Sequence, residues 1–178
     1  MMQRAVLATL GLLTLLGVAS LAYADCPAYW THFRRHCYRF FGSHKTWGDA
    51  EAHCNGFSSN SHSDEETIAH LVSIISQAEN DFVYTLWASS RETSSNASQL
   101  WLGFYKPYGR NYFTWSDSRD IGFTFWDIQR PNNVGGNEDC VEMWEEEIEH
   151  HRLKSWNDRP CLNKASYICK MQMTLRPV

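Results

Sequence analysis

Hydrophobic positions run almost without interruption through the first two dozen residues. MMQRAVLATLGLLTLLGVASLAYA holds one charge, Arg4, ahead of an apolar stretch that closes on Ala22-Tyr23-Ala24. A basic start, an apolar middle and a small-x-small end are the pattern of an export signal, so cleavage after Ala24 is expected. The alternative is an uncleaved anchor, since the run approaches the length that crosses a bilayer. No later stretch is apolar enough to do so. The chain therefore divides into a signal peptide at 1–24 and one domain at 25–178, secreted and without a membrane span after cleavage.

Beyond Cys26 the pattern shortens to runs the size of single elements. The aromatic-rich stretch Cys26 to Phe41 reads as two strands, with Cys37 near enough to Cys26 for a disulfide to close a short hairpin. Thr46 can cap a helix over Trp47 to Cys54, which places Trp47, Ala50 and Cys54 on one face. Ser58 to Thr67 is polar and reads as a loop. From Ile68 to Trp87 two readings compete. Ile68, Leu71, Val72 and Ile75 have helical spacing, yet Leu71 to Ile74 also suits a short buried strand. Ser63-Asp64-Glu65-Glu66 and Ser76-Gln77-Ala78-Glu79 are rival capping boxes, the second with Phe82, Val83 and Leu86 on the buried side.

After the polar stretch Ser89 to Ser98 the runs become strand-like: Leu100 to Phe104, Tyr112 to Trp115, Cys140 to Trp144 and Tyr167 to Cys169. Gly, Asn, Asp and Pro separate them. Helices in the first half and sheet with loops in the second give an α+β class. Repeats, heptads and long linkers are all missing from the sequence.

All six cysteines, Cys26, Cys37, Cys54, Cys140, Cys161 and Cys169, follow the signal, and an even number in an exported chain argues for disulfides over metal ligation. The formal charge of −4 becomes −5 when Arg4 leaves, the basic count falling from 16 to 15 against 20 acidic residues. Such a balance excludes nucleic acid as a natural partner. Asn96-Ala97-Ser98 is a glycosylation sequon, and Asn96 is the expected carrier. Phosphate-cradling glycine loops, nucleophile elbows and His-Glu-x-x-His helices do not occur, so no enzyme is expected. His32 and His36 have a zinc-finger spacing, but beside Cys37 in an exported hairpin they are not read as a zinc site.

From Cys26 to Lys170 the chain resembles the C-type lectin domain. The resemblance rests on WGDAEAHC at Trp47 to Cys54, His70 to Ile74 followed by Asn80-Asp81-Phe82-Val83, Trp101-Leu102-Gly103, and Trp156-Asn157-Asp158. It implies a fold of two helices, small antiparallel or mixed sheets and a long loop region. It favours the strand at Leu71 to Ile74 and the helix capped by Ser76. It also implies three disulfides: Cys26–Cys37, Cys54–Cys169 and Cys140–Cys161. By the chain-entropy relation the long Cys54–Cys169 loop is worth about 4 to 5 kcal/mol and each short one about 3.

Members that bind sugar hold one calcium ion, and two sugar hydroxyls complete its oxygen shell. Carried over residue by residue, Asn132 after Pro131, Glu138, and the Asn157-Asp158 pair match both the metal and the sugar ligands. Arg130-Pro131 is expected to be cis. Trp156 offers a platform for a sugar ring on one reading and a core side chain on the other. The implied partner is a carbohydrate or glycoconjugate. With every cysteine assigned and only Asp25 ahead of Cys26, valency would come from a noncovalent homodimer.

Arg130 departs from the pattern, standing where mannose binders have Glu and galactose binders Gln. A guanidinium about 5 Å from a divalent ion is repelled by roughly 6 kcal/mol at an effective dielectric near 20, and it cannot ligate metal. The expectation is that Arg130 turns outward or toward ligand and leaves a weakened calcium site. Alternatives are an Arg130–Glu138 pair in place of the ion, and no site at all. Facing a ligand, its planar donors suit a carboxylate, a sulfate or an acetamido oxygen. That moves the choice from plain mannose to acidic or N-acetylated sugars, while Asn132 keeps gluco- and manno-configured rings in play. The competing class is a calcium-independent relative that binds a mineral, ice or protein surface. Glu142, Glu145, Glu146, Glu147, Glu149, His150, His151 and Arg152 read as a solvated charged insertion.

Overall fold

The computed structural model describes residues 23–24, 26–59, 67–90, 99–145, 152–173 and 175–176. Its strands are β1 (Tyr23–Ala24), β2 (Thr31–Phe33), β3 (His36–Lys45), β4 (Ser58–Ser59), β5 (Thr67–Ile68) and β6 (His70–Leu71) in the first half. β7 (Gln99–Tyr105), β8 (Thr114–Trp115), β9 (Cys140–Trp144), β10 (Trp156–Arg159), β11 (Ala165–Gln172) and β12 (Leu175–Arg176) follow. Two α-helices, α1 (Trp47–Asn55) and α2 (Gln77–Ser90), lie between β3 and β7.

The start signals at Thr46 and Ser76 work as their chemistry requires, while the rival box at Ser63 to Glu66 lies outside the described residues. Thr46 Oγ1 accepts from the Asp49 amide at 3.3 Å, opening α1, and Ala50 and Cys54 form its buried face. Ser76 Oγ accepts from the Glu79 amide at 3.2 Å, opening α2. The Glu79 carboxylate reaches back to the Ile75 amide at 2.9 Å, one residue beyond the usual capping-box partner. Asn80, Val83 and Trp87 form the innermost stripe of α2, while Phe82 and Leu86 pack on the core from its edge. Phe82 stacks on Phe33 at 4.4 Å and meets Tyr38 edge-on at 4.9 Å, which fixes α2 against β2 and β3.

The main sheet has the order β10-β9-β7-β11-β3-β2, with β6 also paired to β11 and β8 to β7. β11 runs parallel to β7 and antiparallel to β3, so the sheet is mixed, as implied. The disulfides are Cys26–Cys37, Cys54–Cys169 and Cys140–Cys161. Among the described residues no helix is long and apolar enough to cross a membrane.

Three element boundaries differ from the sequence reading. The ends of the polar stretch Ser58 to Thr67 are not loop: Ser58 pairs with Ile68 and Ser59 with Thr67. The strand expected at Leu71 to Ile74 stops at Leu71. Val72 divides its bonds, its amide going to Ile168 of β11 and its carbonyl to Gly103 of β7, so no single ladder continues. Of Tyr112 to Trp115, only Thr114–Trp115 pairs with β7. The close passage at Gly103 explains the glycine of Trp-Leu-Gly, because a Cβ there would meet the Leu71 carbonyl oxygen at 2.5 Å. Residues 1–22, the sequon at Asn96 and the charged run 146–151 lie outside the described residues.

One polar chain runs through the buried side of β3 and β11. Lys170, 3 % exposed, donates to Ser73 O at 2.8 Å, Ser73 Oγ at 3.1 Å and Glu79 Oε1 at 2.6 Å, and Tyr38 OH donates to the same Glu79 oxygen at 2.5 Å. Ser73 Oγ continues to Asp117, which pairs with Arg119 at 3.1 Å, and Arg119 reaches His36 Nε2 at 2.6 Å. Burial, then the charges of Lys170 and Arg119, lower the His36 imidazole to about 4. At neutral pH the ring is uncharged in folded and unfolded chains alike. Between 6.5 and about 4 only the unfolded chain takes the proton, so this residue removes stability as pH falls through that window. His36→Gln is expected to flatten the pH dependence of unfolding free energy across that range, measured by denaturant titration beside the parent chain.

Candidate functional site

β10 is where the candidate residues are gathered. The Trp156 amide donates to Phe125 O at 2.8 Å and its carbonyl accepts from the Asp127 amide at 2.9 Å, so the long loop leaves from alongside this strand. Asp127 O then takes the Arg130 amide at 3.1 Å, and the Arg130-Pro131 bond that follows is cis.

Past the proline two hydrogen bonds tie the loop to β10 and two more close it on itself. Asp158 Oδ1 accepts from the Asn132 amide at 3.0 Å and Oδ2 from the Asn133 amide at 2.6 Å. Asn133 has φ 47°, a left-handed conformation that Asn tolerates better than most side chains. From there Asn133 Oδ1 accepts the Glu138 amide at 3.0 Å, and Glu138 Oε2 accepts the Val134 amide at 2.7 Å. The turn between them, Val134–Gly136, has Gly135 at φ 72° and Gly136 at φ 74°, which favours glycine at both positions.

Asn132, Glu138 and Asp158 are thus brought together. Asp158 is 0 % exposed and acts as the internal brace, whereas Asn132 is exposed at the crest. Asn157, 8 % exposed, is one residue away but points along a different path: its amide nitrogen donates to Glu142 Oε1 at 3.1 Å. Glu142 corrects the sequence reading. It is no part of a solvated insertion but a 3 % exposed member of β9, opposite Asn157 in the ladder. Arg159 holds it at 2.6 Å and the Trp144 indole at 2.9 Å, which is how a carboxylate can be tolerated there. Burial pushes the Glu142 carboxyl above its usual range, against the pull of Arg159.

The exclusively donating groups on Glu142 leave the Asn157 carbonyl oxygen as its free end. Each carboxylate oxygen carries two acceptor positions. Among the described residues Asp158 therefore keeps one on each oxygen, Glu138 keeps Oε1, and the side-chain amide of Asn132 has no bond. Two carboxylates and two amides are the kind of oxygen set that suits a hard cation. Among the described residues no group of three or more His, Cys, Asp and Glu side chains could hold a metal, so an ion here would draw on both amides.

Arg130 makes no ion pair among the described residues, with Glu138 or any other acid, and its buried Nε has no hydrogen-bond partner. Trp156 is a core residue and no sugar platform: it is 0 % exposed, and its indole donates to Asn80 Oδ1 at 2.8 Å. Sequence reasoning missed Asn133, Glu142 and Arg159. Asn following Pro-Asn in a Gly-rich turn was a usable signal for the first. For Glu142, the signal was a lone acid inside an apolar strand run.

A family model described as the lectin C-type domain matches residues 43–171. The chain belongs to the C-type lectin domain family. Echinoidin of Heliocidaris crassispina is 38% identical over 149 residues, spanning 83% of this chain and 97% of that protein. The alpha-N-acetylgalactosamine-specific lectin of Patiria pectinifera is 35% identical over 171 residues, spanning 90% and 93%. Among solved structures, the C-type lectin CEL-I from Cucumaria echinata superposes with a TM-score of 0.71 at 33% identity, covering 83% of this chain and 98% of that one. These relatives are lectins, and the two helices, mixed sheet and three disulfides of this C-type lectin domain are those of the fold.

Proposed function

We propose that this protein is a secreted, calcium-dependent saccharide-binding lectin whose site is the loop carrying Arg130, Asn132 and Glu138 together with Asn157 and Asp158. The observation that supports the reading is the loop's closure on Asp158 and Glu138, which puts the exposed Asn132 and the Glu138 carboxylate on one loop braced from β10. Asn132, Glu138, Asn157 and Asp158 would hold one calcium ion, and the ion would supply a positive centre for two sugar hydroxyls. The chain's own part is to orient the saccharide: amides donate to a hydroxyl, carboxylates accept from it. No enzymatic role is proposed.

Arg130 sets the choice of saccharide. Its guanidinium has no acceptor within the described protein, so an acidic or N-acetylated sugar offers the oxygen it lacks. A relative named for α-N-acetylgalactosamine is consistent with an acetamido group. Arg130→Glu is expected to lose preference for N-acetylneuraminic acid and N-acetylglucosamine over mannose by about tenfold, and to tighten calcium. Calorimetric titration of the three sugars in calcium, then in chelator, checks both. An unchanged sugar order and unchanged calcium demand would remove Arg130 from the site.

The remaining parts of the reading are a leader at 1–24 ahead of a domain at 25–178, a glycan on Asn96, and a noncovalent homodimer that supplies avidity. The dimer is noncovalent because no cysteine among the described residues is free. The competing reading, a calcium-independent surface binder, takes support from the loop's four bonds, none of which needs an ion. Chelator separates the two.

A further inference from the structure

At the other end of the main sheet from β10, a cleft of about 170 Å³ opens between β3, β5, β6, β11 and the turn at Asp117 to Arg119. His36, His70, Arg119 and Lys170 line it together with Asp117, Thr67 and Gln172. Most acceptor positions in and behind this wall are taken, with one left on Asp117 Oδ1 and one on Glu79 Oε2. Asp117 takes Ser73 Oγ, Arg119 Nε and the Arg119 amide. Glu51 takes the Leu71 amide at 2.8 Å, Ser116 Oγ at 3.1 Å and His70 Nδ1 at 2.6 Å. Glu79 takes Ile75, Tyr38 and Lys170.

Donors are left over. A guanidinium can only donate, so the 2.6 Å contact from Arg119 makes His36 Nε2 an acceptor and puts the ring proton on Nδ1, which has no partner among the described residues. Arg119 has bonds from Nε and one terminal nitrogen, the other terminal nitrogen has none among the described residues, and its side chain is 32 % exposed. His70 donates Nδ1–H to Glu51, so its Nε2 donates only when the ring is protonated, a form that the Glu51 hydrogen bond favours. Spare N–H groups on Arg119 and His36 beside acceptors that are mostly taken match a ligand made of oxygen acceptors.

We infer that this cleft is a second binding site, for a small oxyanion such as a sulfate or carboxylate group, held by Arg119 and His36 with His70 at its edge. It shares no residue with the calcium and saccharide loop. The His36 ring, neutral when the cleft is empty, gains a proton more readily beside an anion, so binding moves its titration upward from about 4.

The test uses the full mature chain in chelator, which removes any contribution from calcium. Inorganic sulfate and galactose 6-sulfate are titrated separately at constant ionic strength while the histidine ring signals and the melting temperature are followed by NMR and calorimetry. The expected result is a saturable shift of the His36 and His70 rings, an upward His36 titration, and loss of both in Arg119→Gln, with sugar binding in calcium retained by that variant. A tighter response to the ester than to the free ion assigns the site to sulfated glycans, and the reverse assigns it to the free anion. Rings that do not move in the parent chain, or that respond equally in Arg119→Gln, would overturn the inference. The ring titration of the parent chain stands even where the variant folds poorly.

Discussion

Replacing Lys170 with alanine is expected to cost about 3 to 5 kcal/mol, because it strands a carboxylate inside the protein. The Lys170 ammonium spends all three protons on Ser73 O, Ser73 Oγ and Glu79 Oε1. Its side chain is 2% exposed and that of Glu79 5%, so water cannot take over the lost bonds. Burial lowers the Lys170 ammonium below its usual range, with Glu79 offsetting part of the loss. Burial raises the Glu79 carboxyl, but Lys170, Tyr38 and the Ile75 amide more than offset it and hold it below the usual carboxylate range. Urea titration gives the loss directly. Replacing both partners, Lys170→Met with Glu79→Leu, should recover most of it, since a buried pair is weak evidence of net stabilisation. A single-variant loss under about 1 kcal/mol would mean that the pair is solvated.

Asp158→Ala is the second large effect, and it falls on the loop rather than on the core. Two charge-assisted bonds, to the Asn132 and Asn133 amides, disappear together. Each is worth roughly 1.5 to 3 kcal/mol, so the loop loses its register on β10. Calcium affinity should fall at least about 100-fold, and saccharide binding with it. Amide hydrogen exchange at residues 132 and 133 should quicken even in chelator, a readout that separates the brace from the proposed ligand. Asp158→Asn should be milder, keeping one acceptor and losing the charge. Slow exchange in Asp158→Ala would show that the loop holds itself without this residue.

The sequence made the fold legible where one residue type has one physical job. Thr46 and Ser76 announce helix starts because a hydroxyl before an amphipathic run caps free amides. Gly103 marks the place where β7 passes a neighbouring carbonyl. Strand ends were less legible, since whether Val72 continues a ladder depends on which distant strand takes its carbonyl, a tertiary fact that no local pattern holds.

In the site, the residues carried over from the family pattern were legible as names and not as arrangement. Asn132 and Glu138 lie on one loop that Asp158 braces from inside, yet Asn157 is tied to Glu142. Glu142 looked like one member of an acidic run because charge composition cannot tell a solvated acid from one gripped by Arg159 across a β ladder. Asn133 was overlooked because its importance is a backbone angle together with a side-chain bond to the Glu138 amide.

A glycan array probed with the mature protein in calcium, and then in chelator, tests the central claim most directly. Binding to acidic or N-acetylated glycans in calcium, lost on chelation, is the predicted result. Silence on every glycan, or binding that chelator leaves untouched, would contradict it.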